Sequence, residues 1–233
     1  MGTIIAVTAA AGMGGTGLGG LAAYLFRRGT DRTVSVLLSF AAGMMLAVVC
    51  ADLLTDAIQA GPGLSALPAA SASVLAGCGG IWLLEELVSG LQAGAKRGGL
   101  FLAGVVMAAA IALHNLPEGM VIGASYAADL AEAGEDGRMM ALVIGLHNIP
   151  EGMAVAVPTA AAGAPTVLGA VLGFCLGTMG PGLQMLTLGG ASGAMLYVVF
   201  GELLPESFRL CRSPAPVMAA VLGVLTGMGV VLG

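Results

Sequence analysis

Charge is almost absent from this chain except in a few short stretches, and between those stretches lie apolar runs of about 20 residues or more. Only 9% of the residues are charged and 58% are hydrophobic, where a water-soluble domain carries about 25% charged residues. The mean hydropathy is +1.00. A core in water cannot use so much apolar surface, so the bilayer must be the solvent. In that solvent every backbone polar group needs an internal partner, which leaves helices as the reading for runs of this length. Glycine is abundant, at 39 residues, and small residues let membrane helices approach closely; Gly15 and Gly19 in the first run fit that use.

The 233 residues then divide into eight spans forming one all-α transmembrane domain over 1–233. They run at about Thr3 to Phe26, Val34 to Ala57, Ala66 to Leu91, Leu100 to Ala127, Met140 to Ala160, Thr166 to Leu188, Ala191 to Phe208 and Pro214 to Leu232. Arg27, Arg28, Arg32, Lys96, Arg97, Arg209 and Arg212 follow spans one, three and seven. Arg138 alone falls on the other side, beside Asp129, Glu132, Glu135 and Asp136. The excess of Lys and Arg marks the cytoplasmic loops, which puts both termini outside. No basic stretch precedes the first run, so no cleaved signal is expected. Cys50, Cys78, Cys175 and Cys211 stand apart from one another and read as small packing residues.

Two internal repeats stand out. The stretch from Ala41 to Leu54 matches that from Ala191 to Leu204 at eight of 14 positions, with Met45 on Met195 and Asp52 on Glu202. Under the topology above, the two spans cross in opposite directions, as in transporters built from inverted repeats around a midplane site. The second repeat is a phrase: His114-Asn115-Leu116-Pro117-Glu118-Gly119 recurs as His147-Asn148-Ile149-Pro150-Glu151-Gly152, and these hold the only two histidines.

A charged residue inside a membrane span marks a functional site. In each phrase His and Glu are four apart, one above the other on a helix face, so each pair can bind one ion together. Asn115 and Asn148 offer carbonyl oxygens a step round the helix. Pro117 and Pro150 take a donor away from the preceding turn and push against its carbonyl, which predicts a kink. Gly119 and Gly152 make room for close approach. Imidazole suits Zn, Cu, Fe and Ni, and carboxylate widens the range towards Mn. The order His-Asn-x-x-Glu is not the His-Glu-x-x-His of zinc proteases, and no phosphate-binding Gly-x-x-x-x-Gly-Lys-Ser/Thr phrase is present.

On these residues the chain resembles the ZIP (Zrt/Irt-like protein) family of divalent-metal transporters, its bacterial branch in particular. The two phrases resemble its spans four and five. The Ala41 to Leu46 stretch and Phe200 to Glu206 resemble its spans two and seven. The resemblance implies zinc, or iron, manganese or cadmium, carried as substrate into the cytoplasm. By motif, the primary metal site is His114, Glu118, His147 and Glu151, joined by Asn148 and by Met45, which shares a helix face with Asp52. An adjacent second site would use Asn115, Glu118, Asn148 and Glu151. Many bacterial members add a span-six glutamate; Gly180 stands there, which points to a single ion. The loop after span three is short and lacks histidine, so metal sensing through it is not expected.

Asp52 and Glu202 are then expected as acids on the outer and inner approaches, with Glu206 continuing the inner one. Glu85 and Glu86 have no partner in this reading. The whole is a multi-pass protein of the bacterial inner membrane, with a divalent metal ion and the lipid bilayer as partners. It has no enzymatic activity, no organic cofactor and no nucleic acid, and a homodimer is left open. A metal-selective channel shares every named residue, and an intramembrane metal-dependent enzyme is the remaining alternative.

Overall fold

The computed structural model describes residues 1–25, 30–61, 63–132, 134, 136–155 and 163–232. Arg27, Arg28, Glu135 and the predicted end of span five at Ala160 lie outside the described residues. Helix is the only regular structure among those described. Among the described residues five stretches are long and apolar enough to cross a bilayer: Gly2–Tyr24, Asp31–Ala60, Ala66–Gly90, Pro181–Leu210 and Pro214–Leu232. Their outer faces carry Leu75, Trp82, Leu222, Leu225 and other large apolar side chains that water would not tolerate but lipid does.

The elements in chain order are α1 (Gly2–Ala9), α2 (Gly15–Leu25), α3 (Asp31–Val48), α4 (Leu54–Ala60), α5 (Ala66–Glu132), α6 (Asp136–Val155), α7 (Ala164–Gly177), α8 (Pro181–Val198), α9 (Leu204–Leu210) and α10 (Pro214–Leu232). Single π-helical turns join α1 to α2 (Ala10–Gly14), α3 to α4 (Val49–Leu53) and α8 to α9 (Val199–Leu203). Turns of this kind gather at functional positions in helices. Two of them hold Asp52 and Glu202. Around each the pattern is the same: an 18-residue helix, a five-residue π turn and a seven-residue helix.

The helices lock together where glycine lets one backbone touch another. A Cβ on Gly43 would strike Ala220 O, and one on Gly223 would strike Phe40 O, which joins α3 to α10. Gly193 meets Val74 O and Gly77 meets Gly190 O in the same way, joining α8 to the first part of α5. The phrases are seated by a second such set. Gly119 lies on Thr166 O and Gly169 on Leu116 O, between α5 and α7, while Gly152 lies on Thr16 O and Gly19 on Ile149 O, between α6 and α2. In each helix pair the contact is made from both sides, by a glycine of either helix.

Three expectations change. First, helical turns run without interruption from Ala66 to Glu132, where a loop at Lys96 and Arg97 separates spans three and four in the sequence reading. Ala93, Ala95, Lys96 and Arg97 are strong helix formers, which accounts for the turns. The element is not straight. Glu85 is bonded to Tyr197 and His114 to Glu202, within two turns of each other on one span. A straight helix would set Glu85 and His114 about 40 Å apart. Second, spans six and seven divide at Thr178–Gly180, not near Gly189. Gly180 has φ 136 and caps α8, and Pro181 opens that helix; a side chain is strained at such a φ. Third, Gly180 therefore sits in a turn, with nothing within 4 Å of where its Cβ would stand, and not inside span six. Gly180 therefore caps a helix and does not bear on the number of ions.

Candidate metal site

α5 and α6 run on through Pro117 and Pro150 and present the two phrases to each other. Between them and α3 is a small pocket lined by His114, Glu118, His147 and Glu151, by Leu38, Ala41 and Met45 of α3, and by Val198 and Leu203. Its free volume is about 10 Å³, the room one water-sized sphere needs. Glu118 and His147 are 2% exposed. A carboxylate and an imidazole at that depth must be paired, and they are: His147 Nε2 lies 3.0 Å from Glu118 Oε1.

The Asn148 amide completes the group. With its NH2 turned inward, the nitrogen is 3.1 Å from Glu118 Oε2, 3.2 Å from Glu151 Oε2 and 3.3 Å from His147 Nε2. The opposite orientation would set its carbonyl oxygen against acceptors alone. The hydrogen-bond network therefore assigns the amide, as it must where hydrogens are not seen.

His114 turns elsewhere. Its Nε2 is 3.1 Å from Glu202 Oε2 in the π turn after α8, and the two side chains are 17% and 34% exposed. From the buried pair at Glu118 and His147, access to solvent increases past His114 towards Glu202. Beside Glu202, the Tyr197 ring packs on Gly201 and its hydroxyl donates to Glu85 Oε2 at 2.5 Å. Glu85, without a partner in the sequence reading, has one here.

Of the residues singled out in the sequence, the structure gathers Met45, His114, Glu118, His147 and Glu151 around one pocket, brings Asn148 onto them and attaches Glu202 through His114. Asn115 is fully buried but does not line the pocket. Asp52 is half-buried in its own π turn, within electrostatic range of Asp136. Glu206 is bound twice, at 2.6 and 2.7 Å, by exposed Arg209 one turn on, and lies apart from the pocket. Sequence reasoning missed Leu38, Ala41, Val198 and Leu203. Leu38, Ala41 and Met45 follow the three- and four-residue steps of one helix face, so a search along that face from Met45 would have found the first two.

The donor set is imidazole nitrogen, carboxylate oxygen, amide oxygen and thioether sulfur, a mixture suited to zinc and neighbouring transition metals. Among the described residues, no three His, Cys, Asp or Glu side chains surround a common point. Imidazole and carboxylate face each other instead, His147 against Glu118.

No family model matches the chain. It is 31% identical to the zinc transporter ZupT of Chlorobium limicola, over 97% of this chain and 94% of that protein. It is 34% identical to the zinc transporter ZupT of Chlorobium luteolum, over 92% and 90% of the two chains. It is also 34% identical to the zinc transporter ZIPB of Bordetella bronchiseptica, over 96% of this chain and 77% of that one. With near-full-length likeness to three such proteins and both His-Asn-x-Pro-Glu-Gly phrases in place, the chain belongs to the ZIP family.

Proposed function

We propose that this protein carries zinc, or a divalent metal close to it, into the cytoplasm across the bacterial inner membrane. The observation that carries the reading is the pocket itself: two histidines, two glutamates and a methionine from three helices line one space the size of an ion. The names of its relatives, all zinc transporters, agree. Two carboxylates offset a divalent charge in a medium where an unpaired ion is very costly.

The route we infer starts at Asp52, on the outer side with acidic Asp136. It reaches the pocket between α5 and α6 and leaves past His114 and Glu202. His114 faces both the pocket and Glu202, so it can hand an ion from one to the other. The matched helix, π turn and helix around Asp52 and Glu202, with the paired glycine contacts, support an inverted repeat with eight spans and both termini outside. In such an arrangement two similar halves exchange roles as the site opens to each side in turn. The binding residues we assign are His114, Glu118, His147, Glu151, Asn148 and Met45. Asn115 stands one layer behind, available to a second ion beside the first.

The test is zinc entry into liposomes loaded with a zinc-sensitive dye. Glu118→Ala and His147→Ala should each abolish saturable uptake while the purified proteins remain folded. Wild-type uptake by both variants would overturn the site.

A further inference from the structure

Two buried carboxylates side by side repel each other unless something positive or donating lies between them. Glu118, buried, and Glu151, half-buried, one from each phrase, line the same pocket, and the Asn148 amide lies within reach of both. An amide NH2 has two hydrogens. The nitrogen is 3.1 Å from one carboxylate, 3.2 Å from the other and 3.3 Å from His147 Nε2; that ring nitrogen donates to Glu118 Oε1, which leaves the two amide hydrogens to the two carboxylates.

We infer that Asn148 is the stand-in for the metal: its NH2 holds the two glutamates together whenever no cation does, and the amide turns over to offer its carbonyl oxygen when one arrives. This deepens the metal-site reading above and rests on it. A transporter must pass through a metal-free stage in each cycle, and a pocket built only of acceptors would be strained there. An ionised aspartate at this position could accept but not donate, and leucine could do neither. An amide can do both, so the pocket is satisfied with and without its cargo and neither stage becomes a trap.

The amide also explains why the repeated phrase is used unequally. Asn115, its counterpart, does not line the pocket. One amide can serve both carboxylates, and a second would compete with it for the same oxygens.

The experiment uses the full-length protein in detergent, stripped with a chelator and then titrated with zinc, and compares wild type with Asn148→Asp and Asn148→Leu. Stripped Asn148→Asp should melt below stripped wild type, zinc should restore it to or above the wild-type melting temperature, and it should hold zinc about tenfold more tightly. Its uptake into liposomes should be slower, because release is slower. Stripped Asn148→Leu should also melt low, with zinc binding weakened. A wild-type readout covers a variant that does not fold. The 15N-labelled side-chain NH2 of Asn148 should exchange its hydrogens slowly in stripped protein and lose that protection when zinc binds. Stripped Asn148→Asp as stable as wild type, or NH2 protection that zinc leaves unchanged, would overturn the inference. Failure of wild type to bind zinc at all would overturn the underlying site assignment, a different and separable result.

Discussion

The glycine contacts that seat the phrases can be tested by adding a single methyl group. In Gly119→Ala, the new Cβ would lie 2.7 Å from Thr166 C and 2.8 Å from Ala170 N, with Thr166 O closer still. All three are backbone atoms, so no side chain can swing aside. Restoring ordinary contact, at about 3.5 Å, requires α5 and α7 to part by roughly 0.7 Å or more. Overpacking of this kind costs about 1–3 kcal/mol, and the better helix propensity of alanine returns about 0.5–1 kcal/mol. The net effect is a loss of up to about 2.5 kcal/mol, or a few degrees in melting temperature for a chain of this size. Glu118 is the adjacent residue, so its carboxylate is displaced and zinc uptake should fall severalfold. Gly79→Ala is the control, since nothing lies within 4 Å of a Cβ there; it should melt at or slightly above wild type, with unchanged uptake. Gly152→Ala should behave like Gly119→Ala, because its Cβ would run into Thr16 in the equivalent way. Thermal unfolding in detergent and uptake in liposomes read all three. If Gly119→Ala melts and transports like Gly79→Ala, the two helices do not touch through glycine and the packing argument fails.

Two further outcomes follow from side chains away from the pocket. Ser35, Ser39 and Ser207 are fully buried and bonded among themselves, with Ser39 Oγ 2.6 Å from Ser207 Oγ and Ser207 Oγ donating to Ser35 O at 2.6 Å. Ser207→Ala strips the Ser39 hydroxyl of that partner and should destabilise by about 1–3 kcal/mol. Replacing both Ser39 and Ser207 by alanine should cost less than the sum of the single changes, and unfolding of the three variants checks this. Glu206→Gln removes only an exposed pair with Arg209, worth about 0–1 kcal/mol. Stability and zinc uptake should both be unchanged, and a marked rise in the zinc concentration needed for half-maximal uptake would put Glu206 back on the inner route.

Much of the architecture was legible because lipid leaves few choices. Long apolar runs had to be helices, and the last span was read to the residue at Pro214 to Leu232. What escaped was punctuation inside continuous hydropathy. Gly180-Pro181 is a turn signal, but apolar residues continue on both sides of it, so the boundary was drawn later at Gly189. The joining of spans three and four through helical turns was hidden for the opposite reason: Lys96 and Arg97 mark a loop by charge but favour helix by propensity. The π turns left no trace in composition. Only the alignment of Asp52 with Glu202 hinted that the two sites share a local geometry.

The site shows most clearly where reading from sequence stops. The two phrases differ only by Leu116 and Ile149 at their variable position, which predicts two equivalent half-sites. In the fold they diverge. His147 pairs with Glu118 across the phrases, whereas His114 pairs with Glu202 of another helix. Asn148 reaches both glutamates, while Asn115 is buried and does not line the pocket. The phrases hold the same polar residues in the same order, so one aliphatic exchange within them does not account for this difference. It comes from their neighbours: α3 brings Met45, Ala41 and Leu38 to the pocket, and the span of α8 and α9 brings a glutamate within reach of His114 alone. Symmetry in the sequence supplies two like phrases, and packing makes them unlike, with His147 held deep against Glu118 and His114 turned towards the more exposed Glu202.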